Sequence, residues 1–72
     1  MKRSPVKSSN IAEVGYDMPT LTLEVEFKNK SVYQYWPIKR SMYDSLVNAK
    51  SVGKYFNKHI RNVQGINFMR IG

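Results

Sequence analysis

Leu21, Leu23, Val25 and Phe27 alternate with Thr22, Glu24, Glu26 and Lys28, and this period of two predicts a strand with one buried face over residues 20–28. Ile11 to Tyr16 reads as a shorter strand before it, ended by the turn-like tetrad Asp17-Met18-Pro19-Thr20. Ser31 to Trp36 is rich in β-formers and follows Asn29-Lys30, which reads as a two-residue hairpin loop. Under that loop Phe27 faces Val32, Glu24 faces Tyr35 and Leu23 faces Trp36. One face then collects Leu21, Leu23, Val25, Phe27, Val32 and Trp36 as core; the other collects Glu24, Glu26, Tyr33 and Tyr35. One further loop residue inverts the second strand and turns both tyrosines inward.

Past Pro37 the period changes. Ile38, Met42, Tyr43, Leu46, Val47 and Lys50 fall at helical spacing, with Lys39, Arg40, Asp44 and Asn48 on the outer side. Ser51 reads as the N-cap of a second helix. Its core stripe is Val52, Phe56, Ile60 and Val63, and Gly65 ends it. Residues 1–10 read as a polar N-terminal arm that docks through Val6, residues 11–64 as the domain, and residues 65–72 as a tail of strand-like composition. The predicted fold class is α+β: a three-stranded antiparallel β-meander followed by two short helices packed on one face. The tail is available as a short C-terminal strand on a sheet edge.

Seventy-two residues allow one domain. There is no cysteine and one histidine, which excludes disulfides, a thiolate nucleophile and a zinc site of the usual ligand types. No glycine-rich phosphate loop is present, so no cofactor and no metal are expected. His59 has no Ser, Asp or Glu at helical spacing to work with, and no catalytic residue is assigned. No apolar run approaches a membrane span and no secretory signal is visible, so the expected compartment is the cytoplasm, with no membrane partner.

Charge adds the functional signal. Twelve Lys and Arg stand against five Asp and Glu, for a net charge of +7. Asp44 is the one carboxylate after residue 36, against Lys39, Arg40, Lys50, Lys54, Lys58, Arg61 and Arg70. The C-terminal half therefore carries most of the excess, and a polyanionic partner fits it. Lys54, Lys58 and Arg61 share one face of the second helix, where they repel one another until a polyanion neutralises them. A solvated helix face is the plainer alternative.

Several pieces in order resemble the KTSC domain family over residues 6 to about 61. They are Val6 and Ser8-Ser9-Asn10-Ile11; Val14-Gly15-Tyr16-Asp17; Leu21, Leu23, Val25 and Phe27; and the central Val32-Tyr33-Gln34-Tyr35. Tyr43, Leu46 and Ala49 follow, then Ser51, Gly53, Tyr55-Phe56-Asn57 and Ile60. The family is named for the C-terminus of some lysyl-tRNA synthetases and also occurs as small free-standing bacterial and phage proteins. The resemblance implies a small mixed fold and an RNA-binding role, and supplies no catalytic residue. Lys30 stands where the family favours a turn glycine, Lys39 where it favours proline, and Val63 in a region often richer in Tyr and Arg.

The expected function is a noncatalytic nucleic-acid-binding domain, for RNA rather than DNA, acting through Lys39, Arg40, Lys50, Lys54, Lys58 and Arg61. Ser51, Gly53 and Lys54 form a candidate anion site at a helix N-terminus. Tyr33, Tyr35, Glu24 and Glu26 form a candidate interface. That interface belongs to the alternative reading: a protein–protein module, homodimeric or a phage or bacterial regulator docking on an acidic protein.

Overall fold

Three residues close the central hairpin. Phe27 donates its N–H to the Ser31 carbonyl and Lys30 donates back to the Phe27 carbonyl, each at 2.9 Å, so residues 28–30 are the loop. Lys30 takes φ 75°, the left-handed conformation that completes a loop of this length and that glycine adopts at less cost. Asn29 Oδ1 accepts from both the N–H and the hydroxyl of Ser31 and holds the turn together. The extra loop residue shifts the pairing by one. Leu23 stands opposite Tyr35, Val25 opposite Tyr33, and Glu24 opposite Gln34.

This register corrects two expectations. Tyr33 and Tyr35 join Leu23 and Val25 on the face covered by the helices, while Val32, Gln34 and Trp36 share the outer face with Glu24 and Glu26. Trp36 and Val32 are therefore outside the core, and Tyr35 is inside it. The tyrosines and glutamates cannot form one interface, because a one-residue slip exchanges the two faces of a strand.

The computed structural model describes residues 1–72. Its five strands are β1 (Arg3–Pro5), β2 (Ile11–Asp17), β3 (Thr22–Phe27), β4 (Val32–Trp36) and β5 (Asn67–Arg70), and its helices are α1 (Arg40–Val47) and α2 (Val52–His59). All five strands form one antiparallel sheet in the order β1-β2-β3-β4-β5. The meander is its centre. The arm supplies one edge as β1, and the tail supplies the other as β5, paired with β4 of its own chain through Tyr33–Arg70 and Tyr35–Phe68.

A bulge between Ile11 and Glu13 lets both Ile11 and Val14 point into the core despite their odd spacing. Leu21 leaves the predicted strand: it takes φ 52° in the β2–β3 turn and is exposed. Its carbonyl accepts from Ile38 (2.8 Å), and the Ile38 carbonyl accepts from the Tyr16 hydroxyl (2.6 Å), which seats the buried Ile38 ahead of α1 instead of inside it. Tyr43 of α1 stacks on Tyr16 at 5.0 Å.

Ser51 caps α2 by accepting from the Lys54 N–H (3.3 Å). The helix buries Val52 and Phe56, and Ile60 follows them into the core. Phe56 is the central ring, edge-on to both Phe27 (5.7 Å) and Tyr35 (5.2 Å). The helix ends at His59, before Gly65: the Phe56 carbonyl accepts from Ile60 and Arg61, and Asn62 turns the chain at φ 58°. Asparagine tolerates that conformation, so Val63 lies beyond the helix. No helix is long and apolar enough to cross a membrane.

Candidate nucleic-acid interface

The carboxylates are occupied, and mostly on the far side of the sheet. Glu13 and Glu26 stand directly opposite each other on β2 and β3, and Glu24 lies beside them across from Gly15. Like charges in that arrangement repel. Arg3 of β1 answers all three, with Nη1 to Glu24 at 2.9 Å, Nε to Glu13 at 3.4 Å and Nη2 to Glu26 at 3.6 Å. Gln34 donates to the other oxygen of Glu24 at 2.9 Å. Asp44 accepts from Arg40 Nε (3.1 Å), and Asp17 accepts from the Thr20 hydroxyl. Lys39, Lys50, Lys54, Lys58 and Arg61 have no carboxylate partner, and Arg70 Nε donates to the Gly72 oxygen at 2.8 Å.

A cavity of about 470 Å³ opens between α2 and the β3–β4–β5 side of the sheet. That volume lies in the range of small-ligand sites, about 300–1,000 Å³. Tyr33, Tyr35 and Phe68 form its floor. The two tyrosine rings lie 6.3 Å apart with 24° between their planes, and Phe68 is 6.1 Å from Tyr35 and 6.4 Å from Tyr33. Asn10, Asn57, Asn62 and Arg61 contribute to its rim, and no carboxylate lines it. Burial raises the Tyr35 phenol above its ordinary pKa; Arg61 opposes the rise and Tyr33 adds to it. Like any tyrosine, Tyr35 is a neutral donor near pH 7.

Arg61, in the turn after α2, joins this cavity to the basic stripe. Gly53, Asn57 and Arg61 follow one another at intervals of four and line the cavity. Lys54 and Lys58 each follow a cavity-lining residue on α2 and are exposed to solvent beside it. Lys54 and Lys58 thus lie one turn apart on α2, and Arg61 follows in the turn after it. The other predicted cations lie elsewhere. Lys50 lies in the link between the helices and lines a second groove with Lys7 and Lys28. Lys39 and Arg40 sit at the start of α1, and Arg40 is engaged by Asp44.

The candidate anion site has a structural explanation. The Ser51 hydroxyl is taken by the Lys54 N–H. A Cβ on Gly53 would lie 3.3 Å from Ser8 Oγ, so the missing side chain lets the arm lie close to the helix. His59 is exposed and lies against Tyr55, ring centres 4.4 Å apart and planes tilted by 34°. Asn10 and Asn57 stood out in the sequence only as pieces of the family resemblance, and Asn62 and Phe68 were assigned no site; the four come from separate segments and line one cavity once the register and the end of α2 are known.

A family model for the KTSC domain matches residues 7–63. The chain belongs to the KTSC domain family. The match includes Tyr33, Tyr35, Asn57 and Arg61 and stops before Phe68. The crystal structure of a KTSC domain protein from Yersinia pestis superimposes with a TM-score of 0.91 at 31% identity, covering 99% of this chain and 97% of that one. A protein of Stutzerimonas stutzeri is 36% identical over 58 residues, 81% of this chain and 82% of its own. A lysine–tRNA ligase of Nostoc punctiforme is 40% identical over 55 residues, which are 76% of this chain and 10% of the ligase. This KTSC chain thus corresponds to a small part of that enzyme.

Proposed function

We propose that this chain is a noncatalytic RNA-binding module that lays a phosphate backbone along Lys54, Lys58 and Arg61. The observation that carries the reading is the segregation of charge. The stripe is unpaired and reaches an aromatic cavity free of carboxylates through Arg61, while Glu13, Glu24 and Glu26 are held by Arg3 on the opposite face. Cations at this spacing repel one another in the free protein. Phosphates relieve the repulsion, and the counterions they release favour binding. Kinship to a stretch of a lysine–tRNA ligase, an enzyme whose name pairs it with an RNA, favours RNA over DNA.

The test is fluorescence anisotropy with a labelled single-stranded RNA and the DNA of matching sequence at low salt. The variant Lys54→Gln/Lys58→Gln/Arg61→Gln should bind RNA at least tenfold more weakly, and Lys39→Gln/Lys50→Gln should stay near wild type. Equal weakening by both variants would mean that net charge, and not this stripe, does the binding.

A further inference from the structure

We infer that the cavity between α2 and the β3–β4–β5 side of the sheet seats one unpaired nucleobase, so that the module engages single-stranded RNA in preference to duplex. The inference rests on the RNA-binding reading above.

The floor is the first reason. The half-buried Tyr33 and the exposed Phe68 offer ring surface to the cavity, and the buried Tyr35 backs both, its ring centre 6.3 Å from Tyr33 and 6.1 Å from Phe68. Every base has a flat π-face, and stacking on such a platform is a general mode of single-strand recognition. A base inside a duplex has both faces covered and cannot reach a floor recessed beside a helix.

The rim is the second. The side-chain amides of Asn29, Asn48 and Asn67 are bonded within the chain, whereas those of Asn10, Asn57 and Asn62 are not. An amide offers two donors and an acceptor, which match the donor and acceptor pattern on the edge of a base. The Tyr16 hydroxyl is spent on the Ile38 carbonyl, while the Tyr35 hydroxyl has no partner in the chain and adds a neutral donor.

Arg61 is the third. It lines the cavity and is also the last cation of the exposed stripe. A strand whose phosphates follow Lys54 and Lys58 therefore brings a base to the cavity at Arg61. A cationic ligand would meet Arg61 and no carboxylate there, so the chemistry favours a base carried on an anionic chain.

The experiment compares a labelled seven-nucleotide RNA with a stable sugar–phosphate chain of equal length that lacks all bases, and with an RNA duplex. Wild type should prefer the base-bearing single strand to the abasic chain by about tenfold or more. Phe68→Ala and Asn57→Ala alter exposed side chains, and each should reduce that preference several-fold while binding the abasic chain as wild type does. Equal affinity of wild type for the two chains would overturn the base seat and leave electrostatic RNA binding standing, as would a preference that survives both substitutions or tighter binding to duplex. Failure to bind either chain would overturn both readings.

Discussion

Arg3 reaches Glu24 across the bare backbone of Gly15. The contact is 2.9 Å, and the guanidinium crosses β2 at the one position of that face that has no side chain. A Cβ on Gly15 would lie 2.6 Å from the Lys2 carbonyl oxygen and 3.1 Å from Arg3 Cγ. Gly15→Ala should therefore push β1 off the sheet, at a cost of about 1–3 kcal/mol. Arg3→Ala leaves the buried Glu24 without its cation. It should cost about 2 kcal/mol, between the small value of an exposed pair and the large value of a fully buried one. Denaturant titration measures both, and two unchanged midpoints would show that the arm does not contribute to stability.

Lys30 occupies a left-handed position in the three-residue loop, at φ 75°. An L-residue with a side chain costs about 1–2 kcal/mol there, and glycine avoids that cost while losing some through its freer unfolded chain. Lys30→Gly should raise stability by roughly 0.5–1 kcal/mol. A lowered melting temperature would mean that the loop has a different form from the one described.

The buried Tyr35 phenol gives the stability a pH dependence with a definite sign. Burial raises its pKa in the folded chain above the value of 10.0 expected in the unfolded one. The folded state thus holds the proton more tightly, and this contribution is intact below pH 10 and is lost as pH rises through the raised value. Stability should fall less steeply above pH 10 in Tyr35→Phe than in wild type. Denaturant midpoints between pH 8 and 11 measure this, and parallel curves would contradict it. Tyr43, raised by burial as well, should act in the same direction.

The elements with strong periodicity were legible in the sequence. The alternation of Leu23, Val25 and Phe27 located β3, and the spacing of Val52, Phe56 and Ile60 located α2 and its buried face. The hairpin was not, because Asn29-Lys30 suits a two-residue loop by composition while Lys30 takes the left-handed place of a longer one. That single residue moved Tyr35 into the core and Trp36 out of it. The edge strands β1 and β5 span three and four residues, too short for a period to register. Lys54 and Lys58 lie on α2 and were readable there, while Arg61 falls in the turn after it, because the helix ends at His59 and not near Gly65. The cavity is assembled from residues as far apart as Asn10, Tyr33, Arg61 and Phe68, and only the folded register brings them together.

The central claim is that Lys54, Lys58 and Arg61 neutralise RNA phosphates, and the salt dependence of binding tests it most directly. The slope of log K against log salt for a single-stranded RNA counts those contacts, at about 0.7 per phosphate. Replacing the three residues with glutamine should flatten the slope by about 2. A triple variant that binds with the wild-type affinity and the wild-type slope would show the stripe to be a solvated helix face and would contradict the claim.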